Sequence, residues 1–474
     1  MTAEPVSVPP QGGRSLWSTV REAMAGAEGK DFTEGPIRSA LLLLAIPMVL
    51  EVALESVFAV VNVFWVNRLG ASAVAIVGLT EAMLSTIYAL GMGLGIGATA
   101  MVARRIGEKN PAEASRAAVQ AILLGVMVSI PISVLGAAFA PQLLALMGAD
   151  PTIVEQGKGF TRIMFLGNAS ILLLFLINAI FRGAGDAAVA MRCLWIANLA
   201  NLILDPVLIF GLGPFPEMGV EGAAVATTVG RGVGVLYQFY RLAGKDRRFV
   251  IERRHLIVDL PLMGKLIRLS TTGIFQILIG TTSWIGLVRI IATFGATAVA
   301  GYTIAIRVIL FALLPSWGLS NAAATMVGQS LGAKKPERAE ESVWRASFLN
   351  LCFLGGLALI FLVAAPWIVR IFTTDPEVSR HAVLALRIVS VGFPFYAYGM
   401  VISNAFNGAG DTTTPTLLNV VCFWLWEIPL AYVLAKPVGL GPTGAFIAIT
   451  IAFSTLAVVS ALLFRRGKWK SKAI

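Results

Sequence analysis

Long apolar segments dominate the chain, and short clusters of charged residues separate them. Runs such as Ile171–Ile180 and Leu357–Ala365 are apolar on every side rather than alternating. A run that is apolar all round is typical of a membrane helix, whereas a porin-type strand alternates apolar and polar positions. The pattern predicts twelve helices, at roughly 37–66, 72–102, 113–139, 156–181, 187–210, 219–240, 263–293, 297–329, 340–364, 379–406, 412–435 and 441–464.

Composition supports a membrane protein and disfavours other classes. Of 474 residues, 57% are hydrophobic and 13% are charged, whereas soluble domains carry about 25% charged residues. Three cysteines and two histidines stand far apart in the sequence. They provide neither a disulfide framework nor the spacing of metal ligands. The chain also lacks a Walker A motif. We therefore expect no enzymatic activity, no cofactor and no metal.

Lysine and arginine divide unevenly between the two ends of the predicted helices. Of 37 such residues, 27 fall on one side, here called the basic face, 7 on the opposite face and 3 inside helices. The positive-inside rule places the basic face and both termini in the cytoplasm. The net charge of +11 therefore indicates topology and contact with anionic lipids, not nucleic-acid binding.

The first 36 residues are predicted to form a cytoplasmic tail rather than a signal peptide. They contain four prolines and no uninterrupted apolar core. One helical face of this tail carries Leu16, Trp17, Val20 and Met24. That pattern is typical of a short helix lying in the membrane interface.

The chain repeats itself at an offset of 225 residues. Matching pairs include Gly70–Ala75 with Gly295–Ala300, Asp150-Pro151 with Asp375-Pro376, and Phe181–Asp186 with Phe406–Asp411. Six helices per repeat return the chain to its starting side, so the two bundles have the same orientation. We predict a tail (1–36), a first bundle (37–240), a basic linker (241–262), a second bundle (263–464) and a tail (465–474). Two such bundles around a central cleft have the architecture of a secondary transporter.

The repeated motifs resemble those of the multidrug and toxic compound extrusion (MATE) transporters. The resemblance covers about 37–465. It rests on Leu44–Pro47, Arg68–Gly70, Val102–Gly107 with its counterpart Val327–Ala333, and the two Gly-Ala-Gly-Asp turns. It implies a monomeric twelve-helix exporter that exchanges cytoplasmic organic compounds for protons or sodium.

Ionisable side chains inside membrane helices are costly, and they are therefore candidates for function. In the first predicted helix Glu51, Glu55 and Asn62 share one stripe, and in the fifth helix Asn198, Asn201 and Asp205 do the same. Further candidates are Glu81 in the second helix, Asn178 in the fourth and Glu427 in the eleventh.

Within the family, the chain resembles the proton-coupled prokaryotic (DinF-like) branch. That branch places an aspartate on the first helix, fifteen residues after a proline, facing an aspartate and an asparagine on the fifth. Here Pro47 is that proline and Asn62 stands at the aspartate position. The resemblance assigns the fifth-helix positions to Asp205 and Asn201, and a fourth-helix partner to Asn178.

The asparagine at position 62 departs from the branch, because an amide cannot titrate. Either Glu55 or Glu51 takes over the proton, or Asp205 carries it alone. We expect Glu55 to be the acid needed for coupling, with Glu51 as support and Asp205 as its partner across the bundle. The sodium-linked branch uses acids on the seventh and tenth helices, where this chain has Gly280 and Tyr396. Protons are therefore favoured over sodium as the coupling ion.

The predicted cycle begins when an acid in the first bundle binds a proton. The first helix then repacks, with Pro47 as its hinge, and the substrate is expelled. Acids in an aromatic cleft favour cationic amphiphiles as small-molecule substrates. Candidate lining residues are Phe275, Trp317, Tyr396, Tyr398, Trp424 and Trp426.

Two alternatives stay open beside proton-coupled drug export. Sodium could replace the proton, with Glu427 as a site of its own. A lipid-linked saccharide flippase of the same superfamily would need a cationic cleft, and the intramembrane cations are Arg231, Arg289 and Arg307. A membrane enzyme or a receptor is disfavoured because neither a catalytic constellation nor a large outer domain is present.

Overall fold

Residues 16–26, 30–244 and 248–472 are described in a computed structural model, and within these ranges the chain forms helices and turns but no strand. A short helix α1 (Leu16–Ala25) precedes the first bundle. That bundle comprises α2 (Ile37–Asn67), α3 (Ala71–Gly107), α4 (Pro111–Ala138), α5 (Ala140–Leu146), α6 (Pro151–Leu166), α7 (Asn168–Gly183), α8 (Ala187–Phe210) and α9 (Gly219–Ala243). The second bundle comprises α10 (Leu260–Ala292), α11 (Ala296–Gly332), α12 (Pro336–Arg370), α13 (Pro376–Val391), α14 (Phe393–Gly408), α15 (Thr413–Asn419), a π-helix (Val420–Glu427), α16 (Ile428–Ala435) and α17 (Pro442–Arg465).

The helices are long and apolar enough for a polytopic membrane protein. Ten spans in the described part of the chain meet this criterion, and the bent pair α13–α14 makes an eleventh when it is counted as one. The twelfth predicted membrane helix corresponds to α9. It is 25 residues long, and it is more polar because it carries Arg231 and Gln238. The predicted all-α fold of twelve membrane helices in two bundles is confirmed.

The internal repeat is visible as paired contacts between the bundles. A Cβ atom placed on Gly93 of α3 would lie 2.3 Å from the Ile274 side chain in α10. A Cβ atom placed on Gly318 of α11 would lie 2.7 Å from the Val49 side chain in α2. Gly93 and Gly318 are 225 residues apart in the sequence, and so are Val49 and Ile274. The bundles therefore meet along α2, α3, α10 and α11 through equivalent surfaces.

Two helices that were predicted to be continuous are broken at glycines. The helix expected at 156–181 is divided at Gly167 into α6 and α7, and the one expected at 379–406 is bent by 59° at Gly392 between α13 and α14. The two glycines occupy the same position of the repeat. Threonines of α9 and α17 pack against them: a Cβ atom would lie 2.5 Å from Thr228 and 3.1 Å from Thr450, respectively. This close approach of a third helix is a tertiary feature that hydrophobic periodicity does not report.

The eleventh predicted helix, 412–435, contains a π-helical segment. Val420–Glu427 adopts the wider π-helical turn between α15 and α16. Such segments are rare, and they occur frequently at functional sites. Pro47, the predicted hinge, lies inside α2, which continues as one helix from Ile37 to Asn67.

A helix is present where the N-terminal tail was predicted to contain one. Helix α1 packs against α2 and α8, and the Arg192 side chain donates hydrogen bonds to the carbonyl oxygens of Met24 and Ala25. Trp17 is 77% exposed. The tail before residue 16 lies outside the described residues.

Candidate functional site

Glu51 of α2 is buried between the helices of the first bundle. Its exposed fraction is 4%. The Oε1 atom accepts hydrogen bonds from Asn178 Nδ2 at 3.1 Å and from Arg182 Nη1 at 2.7 Å. Both donors lie on α7, one helical turn apart, and Arg182 makes an ion pair with the carboxylate. The structure thus joins the predicted Glu51 and Asn178 directly and adds a cation, Arg182, that the stripe analysis did not include.

A second amide extends this group to α9. Gln238 Nε2 donates to Asn178 Oδ1 at 2.7 Å and to the Leu174 carbonyl oxygen at 2.9 Å. Gln238 is fully buried. Because Asn178 donates to Glu51 and accepts from Gln238, its amide orientation is determined by both partners. Asn178, the candidate on the fourth predicted helix, therefore links α2 to α9 through hydrogen bonds.

Glu55 lies one turn further along α2 and has a different partner. Its Oε2 atom accepts a hydrogen bond from Asn198 Nδ2 of α8 at 2.8 Å. Glu55 is only partly buried, and its charge interacts with those of Glu51, Glu81 and Arg231. The two glutamates of the stripe therefore contact different helices, Glu51 on α7 and Glu55 on α8.

Glu81 of α3 belongs to a group centred on Arg231 of α9. Arg231 Nη2 donates to the Tyr88 hydroxyl at 2.9 Å, and the guanidinium stands 5.6 Å from the centre of the Tyr88 ring. The Tyr88 hydroxyl in turn lies 3.5 Å from Glu81 Oε2. The intramembrane cation is thus balanced by an adjacent carboxylate and covered by an aromatic ring.

Asp205 of α8 forms a third polar group. It is 1% exposed. The amide of Asn201, one turn earlier, lies 3.3 Å from Asp205 Oδ1 and 3.2 Å from Thr227 Oγ1 of α9. Asp205 and Asn198 are seven residues apart on α8, which is about 10 Å of helix rise.

The structure therefore does not join Asp205 to Glu55, although the sequence suggested that they form a pair across the bundle. Each carboxylate has its own asparagine, Asn201 and Asn198, respectively. Asn62, at the position where the related branch has its aspartate, makes no side-chain hydrogen bond with any described residue.

The second bundle carries a single buried acid of the predicted set. Glu427 ends the π-helix and is 2% exposed. Its Oε2 atom accepts a hydrogen bond from Ser283 of α10 at 2.9 Å. Among the repeat counterparts of the first-bundle acids, Glu51 corresponds to Gln276, Glu55 to Gly280 and Glu81 to Ile306. The charged network thus belongs to the first bundle.

The aromatic candidates for the cleft fall into two groups. Phe275, Trp317, Trp424 and Trp426 are between 41% and 54% exposed, and Trp424 Nε1 donates to the Ile279 carbonyl oxygen. Tyr396 instead packs edge-to-face on Phe453 with ring centres 4.6 Å apart, and Tyr398 packs against Trp344. The two tyrosines therefore contribute to helix packing within the second bundle.

The repeated motifs seal the two bundles together at the basic face. A Cβ atom on Gly107 would lie 2.0 Å from the Gln329 carbonyl oxygen, and one on Gly332 would lie 2.1 Å from the Arg104 carbonyl oxygen. These contacts join the last turns of α3 and α11 and are related by the repeat. Glycine is required at both positions because any side chain would separate the helices.

Side chains reinforce this contact, which we call the basic-face seal, in both directions. Arg104 Nη2 of the first bundle donates to the Ala409 carbonyl oxygen of the second at 3.3 Å. Gln329 Nε2, its repeat counterpart, donates to the Gly183 carbonyl oxygen of the first at 3.0 Å. Both acceptors lie in the Gly-Ala-Gly-Asp turns, so these turns hold the bundles together at one end.

Sequence reasoning missed Arg182, Gln238 and Tyr88 as members of the polar groups. Arg182 follows an apolar run, and it was assigned to the basic face on that ground. The available signal was its spacing: Arg182 lies four residues after Asn178, so both occupy one face of the helix. Tyr88 and Gln238 carried no comparable signal, because their partners come from other helices.

The chain is similar to known membrane transporters along most of its length. The MatE family model matches residues 47–207 and 274–433, one match in each bundle. A probable multidrug resistance protein NorM of Thermotoga maritima is 26% identical over 92% of this chain and 94% of its own length. An FAD transporter of Shewanella oneidensis is 26% identical over 84% and 88%, respectively. A solved structure, described as the outward-facing conformation of a multidrug resistance MATE family transporter, has a TM-score of 0.85 at 26% identity and covers 93% of this chain and 98% of that one.

Proposed function

Because this chain belongs to the MATE family of multidrug efflux transporters, we propose that it is a secondary antiporter that exports cationic amphiphilic compounds in exchange for protons. The protein is a polytopic integral membrane protein. The proposal places it in a prokaryotic inner membrane with both termini in the cytoplasm, on the basis of the 27-to-7 distribution of basic residues. Its relatives are transporters, and we expect no enzymatic activity.

One observation carries the choice of protons. In the first bundle Glu55 and Asp205 each face a single asparagine, Asn198 and Asn201. An asparagine can donate a hydrogen bond to an ionised carboxylate through its NH₂ group and accept one from a protonated carboxyl through its oxygen. An asparagine can therefore form a hydrogen bond with either protonation state of the carboxyl group. A carboxyl group that gains and loses a proton in each cycle needs such a partner.

Glu51 has a different role in this scheme. Its partner Arg182 is a permanent cation, so that protonation of Glu51 leaves a guanidinium without its counter-charge. Among the described residues, Glu55 has no such partner within hydrogen-bonding distance. We therefore assign the proton that displaces the substrate to Glu55, with Asp205 as the second candidate. Glu51 is a supporting carboxylate, and its protonation acts on Arg182 rather than on the substrate.

The cycle follows from these assignments. With the cleft open to the opposite face, Glu55 binds a proton and loses its charge. The cationic substrate then loses an electrostatic partner in a region of low dielectric, where that loss is large. The substrate leaves, α2 repacks around Pro47, and the basic-face seal opens. Release of the proton to the cytoplasm restores the carboxylate that attracts the next substrate.

The polar groups also bear on the flippase alternative. A pyrophosphate would need free cations in the cleft. Arg231 is engaged by the Tyr88 hydroxyl and interacts with Glu81 and Glu55. Its charge is thus compensated within the first bundle, so Arg231 is not a free cation for a diphosphate.

The test uses purified protein in proteoliposomes with an imposed pH gradient and a fluorescent lipophilic cation. Glu55→Gln keeps the size and hydrogen-bonding capacity of the side chain but removes titration. We expect it to abolish pH-driven efflux while substrate binding is partly retained. Glu341→Gln, an exposed acid of the basic face, is the matched control and should transport normally.

Two further variants decide which carboxylate carries the proton. If Glu55→Gln and Glu51→Gln both transport normally whereas Asp205→Asn is inactive, the proton belongs to α8 and the α2 carboxylates are structural. In the Glu55→Gln background, Asn62→Asp should restore part of the coupling, because it returns an acid to the same stripe of α2.

A further inference from the structure

The last turn of α7 connects the α2 carboxylate Glu51 to the basic-face seal. The Arg182 side chain makes the 2.7 Å contact with Glu51 Oε1. Its backbone carbonyl oxygen accepts a hydrogen bond from Thr325 Oγ1 of the second bundle at 3.0 Å. The next carbonyl, that of Gly183, accepts from Gln329. One residue thus contacts the buried acid with its side chain and the opposite bundle with its main chain.

These carbonyl groups are the ones that a helix end leaves without intrahelical partners. In α7 side chains from α11, which belongs to the other bundle, donate to both of them. The Arg182 carbonyl oxygen also accepts from the Gly185 backbone N–H at 2.9 Å. The position of the end of α7 therefore decides whether Thr325 and Gln329 keep their acceptors. A displacement of the end of α7 would break the hydrogen bonds from Thr325 and Gln329, and with them this part of the seal.

The second bundle provides an internal comparison. The repeat counterparts of Glu51, Asn178 and Arg182 are Gln276, Ser403 and Asn407, all of them neutral. The carboxylate and the guanidinium are present together in one bundle and absent together from the other, although both helix ends pack into the same seal. The ion pair is therefore not needed to build this helix end.

The burial of the pair also argues against a purely stabilising role. The Glu51 side chain is 6% exposed and that of Arg182 is 19% exposed. Buried ion pairs generally contribute little net stability, because the loss of hydration offsets the attraction. Removal of one partner is costly, since the other charge then stays buried and unpaired. A change in the charge of Glu51 thus acts strongly on Arg182.

We propose that Arg182 is a positioning residue that transmits the charge of Glu51 to the basic-face seal. The inference rests on the proposed proton-coupled exchange and adds a specific link to it. While Glu51 is ionised, it holds the guanidinium inward and the end of α7 stays within reach of Thr325 and Gln329. When Glu51 gains a proton, the guanidinium loses its counter-charge and turns toward the water at the basic face. The last turn of α7 follows, and the seal opens.

The surroundings of Glu51 allow such a change. The charged groups that act on Glu51 are Arg182 from α7 and Glu55 from α2 itself, and the neutral thiol of Cys193 from α8 is the other titratable group near it. Its Oε2 atom is buried and has no hydrogen-bond partner among the described residues. A proton can bind there without displacing Asn178 or Arg182 from Oε1.

The experiment measures opening of the seal independently of substrate. Ser330 in the last turn of α11 is fully buried, and Ser330→Cys replaces a hydroxyl by a thiol in a chain whose three native cysteines are changed to alanine. The purified protein is placed in lipid nanodiscs, and its reaction with a hydrophilic maleimide is followed between pH 8 and pH 5.5. The labelling rate is divided by that of a Lys468→Cys variant, because Lys468 is exposed and its labelling reports the reactivity of a freely accessible thiol at each pH.

We expect the reporter to react faster at low pH, by about fivefold or more. Glu51→Gln and Arg182→Asn should each give the fast rate at every pH. The double variant Glu51→Gln/Arg182→Asn copies the neutral pair of the second bundle, so it should fold as well as the parent and still lack the pH response. Arg182→Lys keeps the positive charge and should keep the response.

The matched control is the exposed ion pair Glu341–Arg345 on the basic face. Its double replacement by glutamine and asparagine should leave the labelling profile unchanged. If the Glu51/Arg182 double variant labels with the parental pH response, the pair is merely structural and the proposal is wrong. This outcome differs from a failure of the proposed function: absent efflux with an intact, Arg182-dependent labelling response would reject only the transport assignment.

Discussion

The contact between α3 and α11 leads to a quantitative prediction for Gly332→Ala. The new Cβ atom would lie 2.1 Å from the Arg104 carbonyl oxygen and 2.9 Å from the Glu108 nitrogen. A carbon atom and a carbonyl oxygen normally approach to about 3.3 Å, so the two helices must separate locally by about 1 Å. Because the obstacle is backbone rather than a flexible side chain, the strain cannot be relieved by a change of rotamer.

The cost of such overpacking is typically about 1–3 kcal/mol. Here α3 and α11 belong to different bundles, so parting of the bundles at the basic face relieves the strain entirely. The closed arrangement should therefore be disfavoured relative to the open one by roughly 5–150-fold. We expect the Ser330→Cys reporter to react faster by a factor in this range, and Gly107→Ala, the repeat counterpart, to behave alike.

Two other glycines serve as controls in the same assay. Gly355 of α12 has open space around its Cβ position, and Gly355→Ala should leave labelling unchanged. Gly301→Ala would place a Cβ atom 2.6 Å from the His381 side chain and 2.8 Å from the Val378 carbonyl oxygen, but this contact joins α11 to α13 within the second bundle. It should lower the melting temperature without a selective increase in labelling. If Gly332→Ala labels at the parental rate, the seal at α3 and α11 is not what closes the basic face.

Two further predictions concern the orientation and the driving ion. A cysteine at Asp375, at the start of α13, should be modified by a membrane-impermeant reagent added to intact cells, whereas one at Lys334 should not; the reverse pattern would invert the topology. Efflux in proteoliposomes should follow a pH gradient and be indifferent to sodium, and Glu427→Gln should therefore leave it unchanged. A requirement for sodium at fixed pH, abolished by Glu427→Gln, would instead make the buried acid of the π-helix the coupling site.

Several features of this protein follow from the sequence alone. The twelve helices follow from apolar runs long enough to cross a bilayer, which depend only on local composition and a fixed membrane thickness. The relation between the bundles follows from residue matches at a constant offset, such as the two Gly-Ala-Gly-Asp turns. The two polar stripes on α2 and α8 follow from helical periodicity, which places Glu51, Glu55 and Asp205 without knowledge of any neighbour.

Only the tertiary structure decides which partner each of these side chains has. Periodicity defines a face of a helix, but not the rotation, height or neighbour against which that face packs. For this reason Glu51 was not connected to Arg182, and Glu55 and Asp205 were paired although each binds its own asparagine. The breaks at Gly167 and Gly392 were missed for the same reason, because at each glycine a threonine of a third helix packs close to the place where a Cβ atom would lie. Contacts between helices distant in sequence are set by packing of the whole bundle, and no local pattern records them.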